Sequence, residues 1–318
     1  VPDGDSGDER RRELTEMQLT TLEEEVLRRF RSGQLAHAGK APSDELLAFA
    51  LLIVLQSSAM VRARRLGPLS GMVSYKSDGS PVTSIERQIE EDARRHLEQA
   101  APDAVLVGEE TGGVLPDAGL AVAIDPIDGT WAFLNRTETC GPSVGVFRDG
   151  VVEIGAVGNP ATGEIGYADA ETGSRVLQLG LFGEPDRSYR LPLDRSHSDS
   201  LLVNIHPRPD VDEIVAPLAA AWRERSIRTV RIAGGSPAVA LLDAAKGHYV
   251  YVNAWTGSPS TPYDLGAAVH LVRGAGGDVV DLDGNPIDVL GHRGPFVAGV
   301  DAAARAQVLE IVTPALGR

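Results

Sequence analysis

The run Ala123-Ile124-Asp125-Pro126-Ile127-Asp128-Gly129-Thr130 constrains this chain more than any other stretch. An apolar run from Leu120 to Ile124 reads as a buried strand. A proline and a glycine follow within five residues, so the strand ends here in a turn. Two carboxylates, a backbone carbonyl in a proline-stiffened loop and free amides therefore leave one strand end together. Carboxylates and carbonyls are hard oxygen donors of the sort Mg²⁺ takes, and free amides beside a glycine suit a phosphate oxygen. The same residues also fit a plain strand-ending turn, because Asp-Gly is a common turn dipeptide.

Two further segments favour the chemical reading. Val105-Leu106-Val107-Gly108-Glu109-Glu110 is another short apolar strand that ends in acids, and Pro262-Tyr263-Asp264-Leu265-Gly266-Ala267-Ala268 places one acid at the mouth of a small-residue helix. Together the three pieces resemble the inositol monophosphatase family, within the Mg²⁺-dependent, lithium-sensitive phosphatases. That family's pattern is Gly-Glu-Glu, then Asp-Pro-Ile-Asp-Gly-Thr, then Trp-Asp-x-Ala-Ala-Gly more than a hundred residues on. The first two are intact here; in the third, Tyr263 stands for the tryptophan and Gly266 for the first alanine. Lys76-Ser77-Asp78-Gly79-Ser80-Pro81-Val82-Thr83 looks like the family's loop near the metals, with Glu86 as the acid expected after the threonine. The likeness covers roughly residues 42 to 315.

The resemblance implies an α/β protein of layered αβαβα sugar-phosphatase type, with an α+β N-terminal half and a doubly wound α/β C-terminal half. It implies two to three Mg²⁺ per site. Glu109, Asp125 and the Ile127 carbonyl would hold the first ion, Asp125 bridging to a second on Asp128 and Asp264, with Glu109 and waters holding a third. Lys76 and Glu86 are candidates to support that third ion. Thr130, paired with Glu109, would orient the attacking water, and the Gly129 and Thr130 amides would cradle the phosphate. Asn253 stands where the inositol-specific members carry an acid that grips sugar hydroxyls; Trp255, Gly235 and Ser236 complete the expected substrate wall. A homodimer is the family's usual form. Asp264 also fits a helix N-cap, and Glu110 a supporting or solvated acid.

Composition bounds the rest. A formal charge of −15 argues against a nucleic-acid partner, which would want a basic face. The single Cys140 excludes an internal disulfide framework and a cysteine-rich zinc site, and with no targeting segment in view suggests a reducing cytoplasm. The longest uninterrupted apolar run, Leu46 to Leu55, is of core-helix length, so no membrane partner is expected. Three blocks are expected: residues 1–41 as a partly helical extension with a charged helix from Asp8 to Arg31, residues 42–195 as the α+β metal-binding domain, and residues 196–318 as the α/β domain. Hairpin-forming strands are expected near 142–147, 151–158 and 164–169, and a polar connection over 184–200. The expected activity is hydrolysis of a small polyol, sugar or similar phosphate monoester. Action on a 3′(2′),5′-bisphosphate nucleotide or on histidinol phosphate is the alternative on the same fold. A catalytically silent phosphate-ester binder is the alternative of another class.

Overall fold

The computed structural model describes residues 16–33, 42–65, 67, 69, 71–77, 79–193, 200–205, 211–254 and 261–316. Its organising element is an eight-stranded sheet built on one hairpin-rich succession. Strands β4 (Val105–Gly108), β5 (Leu120–Asp128), β6 (Gly141–Arg148), β7 (Val151–Asn159), β8 (Glu164–Asp169), β9 (Gly173–Gln178) and β10 (Arg187–Arg190) lie side by side, and β1 (Glu16–Met17) closes the β10 edge. Among the described residues only the β4–β5 pair in this sheet is parallel; the others run antiparallel. Strand β10 lies inside the stretch expected as polar connection. Its residues Arg187-Ser-Tyr-Arg carry little apolar signal, and the strand exists because Ser188 and Tyr189 find backbone partners on β9.

One face of this sheet is covered by α2 (Pro42–Arg65) and α3 (Ser84–Ala100). Helix α2 is apolar on most sides; by length and composition Asp44–Arg65 could cross a membrane, yet 72% of its most apolar window is buried. Leu47, Leu51, Val54 and Leu55 pack with Val144, Val146, Ala156 and Tyr167 of the sheet, which makes α2 a core helix. Helix α3 starts at a capping box: Thr83 and Glu86 satisfy each other's amides. Ahead of α3, the hairpin β2 (Val73–Tyr75) and β3 (Pro81–Thr83) carries Lys76 in its turn.

The opposite face packs on α6 (Pro237–Ala245) and α7 (Pro262–Gly274), which separate it from a second, five-stranded sheet. That sheet has the order β12 (Thr229–Ala233), β11 (Ser200–Asn204), β13 (Val250–Asn253), β15 (Phe296–Gly299), β14 (Asp278–Val280). The first three are parallel, and β15 runs against β13, so the expected doubly wound layer is mixed. Helices α5 (Val211–Arg223) and α8 (Ala302–Leu316) cover its outer face. The succession is the expected αβαβα stack.

Helix α7 approaches the large sheet closely because both surfaces are stripped of side chain. A Cβ on Gly155 would sit 2.4 Å from the Ala267 carbonyl oxygen, and one on Gly266 would sit 2.5 Å from the Phe147 ring. Gly266 therefore departs from the family's alanine where Phe147 fills the space.

The N-terminal helix is shorter than expected. Helix α1 (Thr21–Ser32) starts at the Thr20/Glu23 capping box, and the part of the expected helix before residue 16 lies outside the described residues. It packs Val26 and Leu27 onto α2 and inserts Glu23 fully buried into the sheet. There the carboxylate accepts from Tyr167 Oη at 2.8 Å and Ser188 Oγ at 2.6 Å, and faces Arg175 Nη2 at 3.5 Å.

Candidate active site

Asp125 and Asp128 stand three apart, so a regular strand would point them to opposite faces. The ladder avoids this with a bulge. Asp125 pairs with Ser143 and Asp128 with Gly141, three steps on β5 against two on β6. Ser143 and Gly141 share a face, so Asp125 and Asp128 share one too. Pro126, which has no amide to donate, sits in that bulge, and Asp125 Oδ1 takes the Ile127 amide at 2.9 Å.

Asp264 reaches the same point from α7. It is not the N-cap; Thr261 is, and Asp264 is the third helical residue, reaching back to the Thr261 amide at 3.0 Å and hydroxyl at 2.7 Å. Carboxylate oxygens of Asp125, Asp128 and Asp264 lie within 4.8 Å of one another. Asp125 and Asp128 are 2% and 5% exposed. Burial first, then mutual repulsion with Glu109 and Asp264, holds both well above the usual carboxylate range; Asp264 is pushed up to about 6, again chiefly by burial.

Such a cluster is self-repelling unless a cation sits in it. The donors are all oxygen, which suits Mg²⁺ or a similarly hard ion and not a tetrahedral nitrogen and sulfur site. The residues present therefore fit the group the resemblance implies.

Asp128 has a second support. Its Oδ2 accepts from Ser236 Oγ at 2.5 Å and from the Ala238 amide at 2.7 Å, in the first turn of α6. Ser236 is also the N-cap of α6, accepting from the Val239 amide at 2.8 Å. Expected against the substrate, the Ser236 hydroxyl is instead spent on aiming Asp128. Gly235 makes that turn with φ +132°, and Gly129 has φ +86° with no room for a Cβ beside Ser236 N and Thr139 O.

Thr130 opens the short helix α4 (Thr130–Leu134). Its hydroxyl donates to Glu86 Oε1 at 2.8 Å, with a longer contact to the Ile127 carbonyl at 3.3 Å. The partner of Thr130 is thus Glu86 and not the expected Glu109. Glu86 is fully buried, and burial pushes its carboxyl up to about 7 against the pull of its bonds to Thr83 and Thr130. The capping-box spacing Thr83-x-x-Glu86 was the sequence signal for its local bond; its reach across to Thr130 had none.

Glu109 stands at the end of β4, outside the tightest carboxylate group, with Oε1 on Lys76 Nζ at 2.7 Å. Lys76 also meets Glu110 Oε1 at 2.7 Å. Burial would lower the Lys76 ammonium's affinity for its proton, but the two carboxylates outweigh it and the net shift is upward. Glu110 is a mostly buried partner of Lys76 and not a solvated acid. The turn beyond Gly108 is gripped by Glu90 of α3, which accepts from the Glu110 and Thr111 amides at 2.7 and 2.9 Å. A Cβ on Gly108 would meet that carboxylate at 2.2 Å, which explains the glycine. Glu90 was not foreseen from the sequence. Asn253 ends β13, 1% exposed, and Trp255 lies outside the described residues.

Residues 43–313 match the profile of the inositol monophosphatase family. The chain belongs to that family. Among its curated relatives, the histidinol-phosphatase of Mycobacterium tuberculosis is 28% identical over 275 residues, spanning 84% of this chain and 97% of that protein. The inositol-1-monophosphatase of Mesorhizobium japonicum is 28% identical over 283 residues, spanning 85% and 98%. Among solved structures, the inositol monophosphatase from Anabaena superposes with a TM-score of 0.63 at 21% identity, covering 87% of this chain and 99% of that one. The layered fold of this family member is thus the fold of those neighbours.

Proposed function

We propose that this family member is a Mg²⁺-dependent phosphomonoesterase acting on a small polyol, sugar or similar phosphate monoester. The observation that carries the reading is the convergence of Asp125, Asp128 and Asp264 within 4.8 Å beside the Thr130–Glu86 pair. Asp125, Asp128 and Asp264, with Glu109 and the Ile127 carbonyl, would hold the cations. When bound, such ions neutralise phosphoryl oxygens and acidify a coordinated water.

The chain's own groups divide the remaining work. Thr130, donating its hydroxyl hydrogen bond to Glu86, has oxygen lone pairs left to accept from a water and aim it. Glu86, with its carboxyl pushed up to about 7, is suited to take a proton through that hydroxyl near neutral pH. The Gly129 and Thr130 amides would face the phosphate. The Ala238 amide and the α6 N-terminus favour the ionised form of Asp128 and so oppose the rise that burial imposes on it. In-line attack on a monoester is largely positioning and charge, so no covalent enzyme intermediate is required.

Within the same reading the molecule is a homodimer, as the family resemblance implies, in a reducing cytoplasm, as the single Cys140 suggests, and Glu109 would be free to hold a cation once released from Lys76. The test is phosphate release with Mg²⁺ from inositol 1-phosphate, histidinol phosphate and adenosine 3′,5′-bisphosphate, run beside Asp125→Asn. Release that requires the metal and falls at least about a hundredfold in Asp125→Asn is expected. Release that ignores both metal and substitution would sink the proposal.

A further inference from the structure

The cleft between α1 and the loop joining β9 to β10 has no part in the site described so far. Helix α1 lies ahead of residues 43–313, so one wall of this cleft is the chain's own addition to the family fold. The cleft holds about 450 Å³, an ordinary size for a small-molecule site, and Asp125, Asp128 and Asp264 do not line it. Leu27 and Phe30 of α1 line it with Leu179, Leu181 and Phe182 of the loop. Phe182 is 91% exposed, an apolar ring left in water. The loop itself is fastened: the Leu179 amide donates to the Gly163 carbonyl at 2.9 Å, and Asp186 accepts from the Gly180 amide at 3.1 Å. Asp186 also pairs with Arg31, which ties the loop to α1.

Arg62, in the last turn of α2, lines the same cleft. Its Nη1 is shut off from water and has no hydrogen-bond partner, and no ion pair joins Arg62 to another of the described residues. Asp186 is the acid in this wall and is taken by Arg31, so the cleft is left with one uncompensated positive charge. A buried donor on a charged group is costly to leave unpaired. With a formal charge of −15 the chain has acids in excess, yet among the described residues none is spent on Arg62. The partner this guanidinium lacks is an anion from outside the chain.

We propose that this cleft binds a small amphipathic carboxylate, its head on Arg62 and its apolar tail between α1 and the 179–186 loop. A planar guanidinium takes a carboxylate through two parallel N–H···O bonds. A monoanion matches the single free charge, whereas a phosphate dianion would bring a second charge that this wall does not neutralise. The five apolar side chains flanking Arg62 give the tail somewhere to leave water, and each methylene buried against them adds affinity. The site is separate from the carboxylate cluster, so it stands or falls independently of the phosphatase reading.

The experiment follows thermal melting of the full chain, with a chelator present, for wild type, Arg62→Met and Phe182→Ser. The probes are decanoate below its micelle-forming concentration, acetate as a head without a tail, and decanol as a tail without a charge. Decanoate near saturation should raise the wild-type Tm by about 2 °C or more, while acetate and decanol leave it within about 0.5 °C. Arg62→Met keeps an apolar stem and removes the unpaired charge, so without ligand it should melt no lower than wild type and should not respond to decanoate. Phe182→Ser changes an exposed residue, so it should fold as wild type does and lose at least about half of the shift. No shift in wild type, an equal shift with decanol, or a shift kept in full by either variant overturns the proposal. So does a ligand-free Arg62→Met that melts more than about 3 °C below wild type, because the guanidinium would then already have a partner. Sedimentation of wild type with and without decanoate covers the remaining occupant. A dimer that decanoate dissociates would mean that a second copy fills the cleft, and would also overturn it.

Discussion

Replacing Glu86 by glutamine in metal-free protein should change stability in a way that depends on pH. The folded Glu86 carboxyl titrates at about 7, against an ordinary value of 4.5, because burial outweighs its bonds to Thr83 and Thr130. An acid raised in this way binds more protons folded than unfolded, so its penalty is absent below the unfolded value and complete above the folded one. The shift corresponds to about 3 kcal/mol of stability lost as pH rises from about 4 to about 8. With an unfolding entropy of about 2.1 cal/mol/K per residue, that is roughly 5 °C in Tm for a chain of this length. Glutamine keeps the shape and carries no titrating proton. The Tm difference, variant minus wild type, should therefore climb by roughly 5 °C between about pH 4 and about pH 8 in the presence of a chelator. The neighbouring aspartates are common to both proteins and largely cancel in the difference. A melting series in which that difference stays constant within about 1 °C would refute the account of Glu86 as a costly buried acid. The same variant should lose most phosphate release, since no carboxylate would stand behind Thr130 to take the water's proton.

Two other perturbations follow from the packing. Glu23→Ala removes the carboxylate facing the buried Arg175 and the acceptor of Tyr167 and Ser188, and should cost about 3–5 kcal/mol. That is a drop of roughly 5–7 °C in Tm by calorimetry; an unchanged Tm would mean that α1 contributes nothing to the folded unit. Gly235→Ala forces a side chain into φ +132°, with its Cβ 2.3 Å from Thr139 Oγ1, so the turn must shift and Ser236 must leave Asp128. The expected readout is a rise of about tenfold or more in the Mg²⁺ concentration for half-maximal activity, from loss of one support of a ligand, and an unaltered metal requirement would show that Ser236 does not position Asp128.

Much of the site was legible in the chain because its chemistry is written in short contiguous pieces. Asp125 to Thr130 names a strand, its end, two acids and a turn within six residues. Gly108-Glu109-Glu110 and the Pro262–Ala268 segment do the same for the other walls. Strand and helix order was legible for a related reason: periodicity over β5 to β8 and the caps of α3 and α6 are local properties, and local properties survive folding. What depended on residues far apart was not legible. The bulge that brings Asp125 and Asp128 to one face depends on register with β6. The handing of Thr130 to Glu86, 44 positions away, depends on where α3 crosses the end of β5. Glu90 under Gly108, Lys76 between two glutamates, and Glu23 beneath the sheet are all pairings of charge created by burial. Sequence by itself determined which groups this protein has for binding a metal and a phosphate, because residue type and local turn chemistry need no tertiary partner. The tertiary structure decided which carboxylate serves which task. A charge becomes costly, and so must choose a partner, only when packing takes the water away.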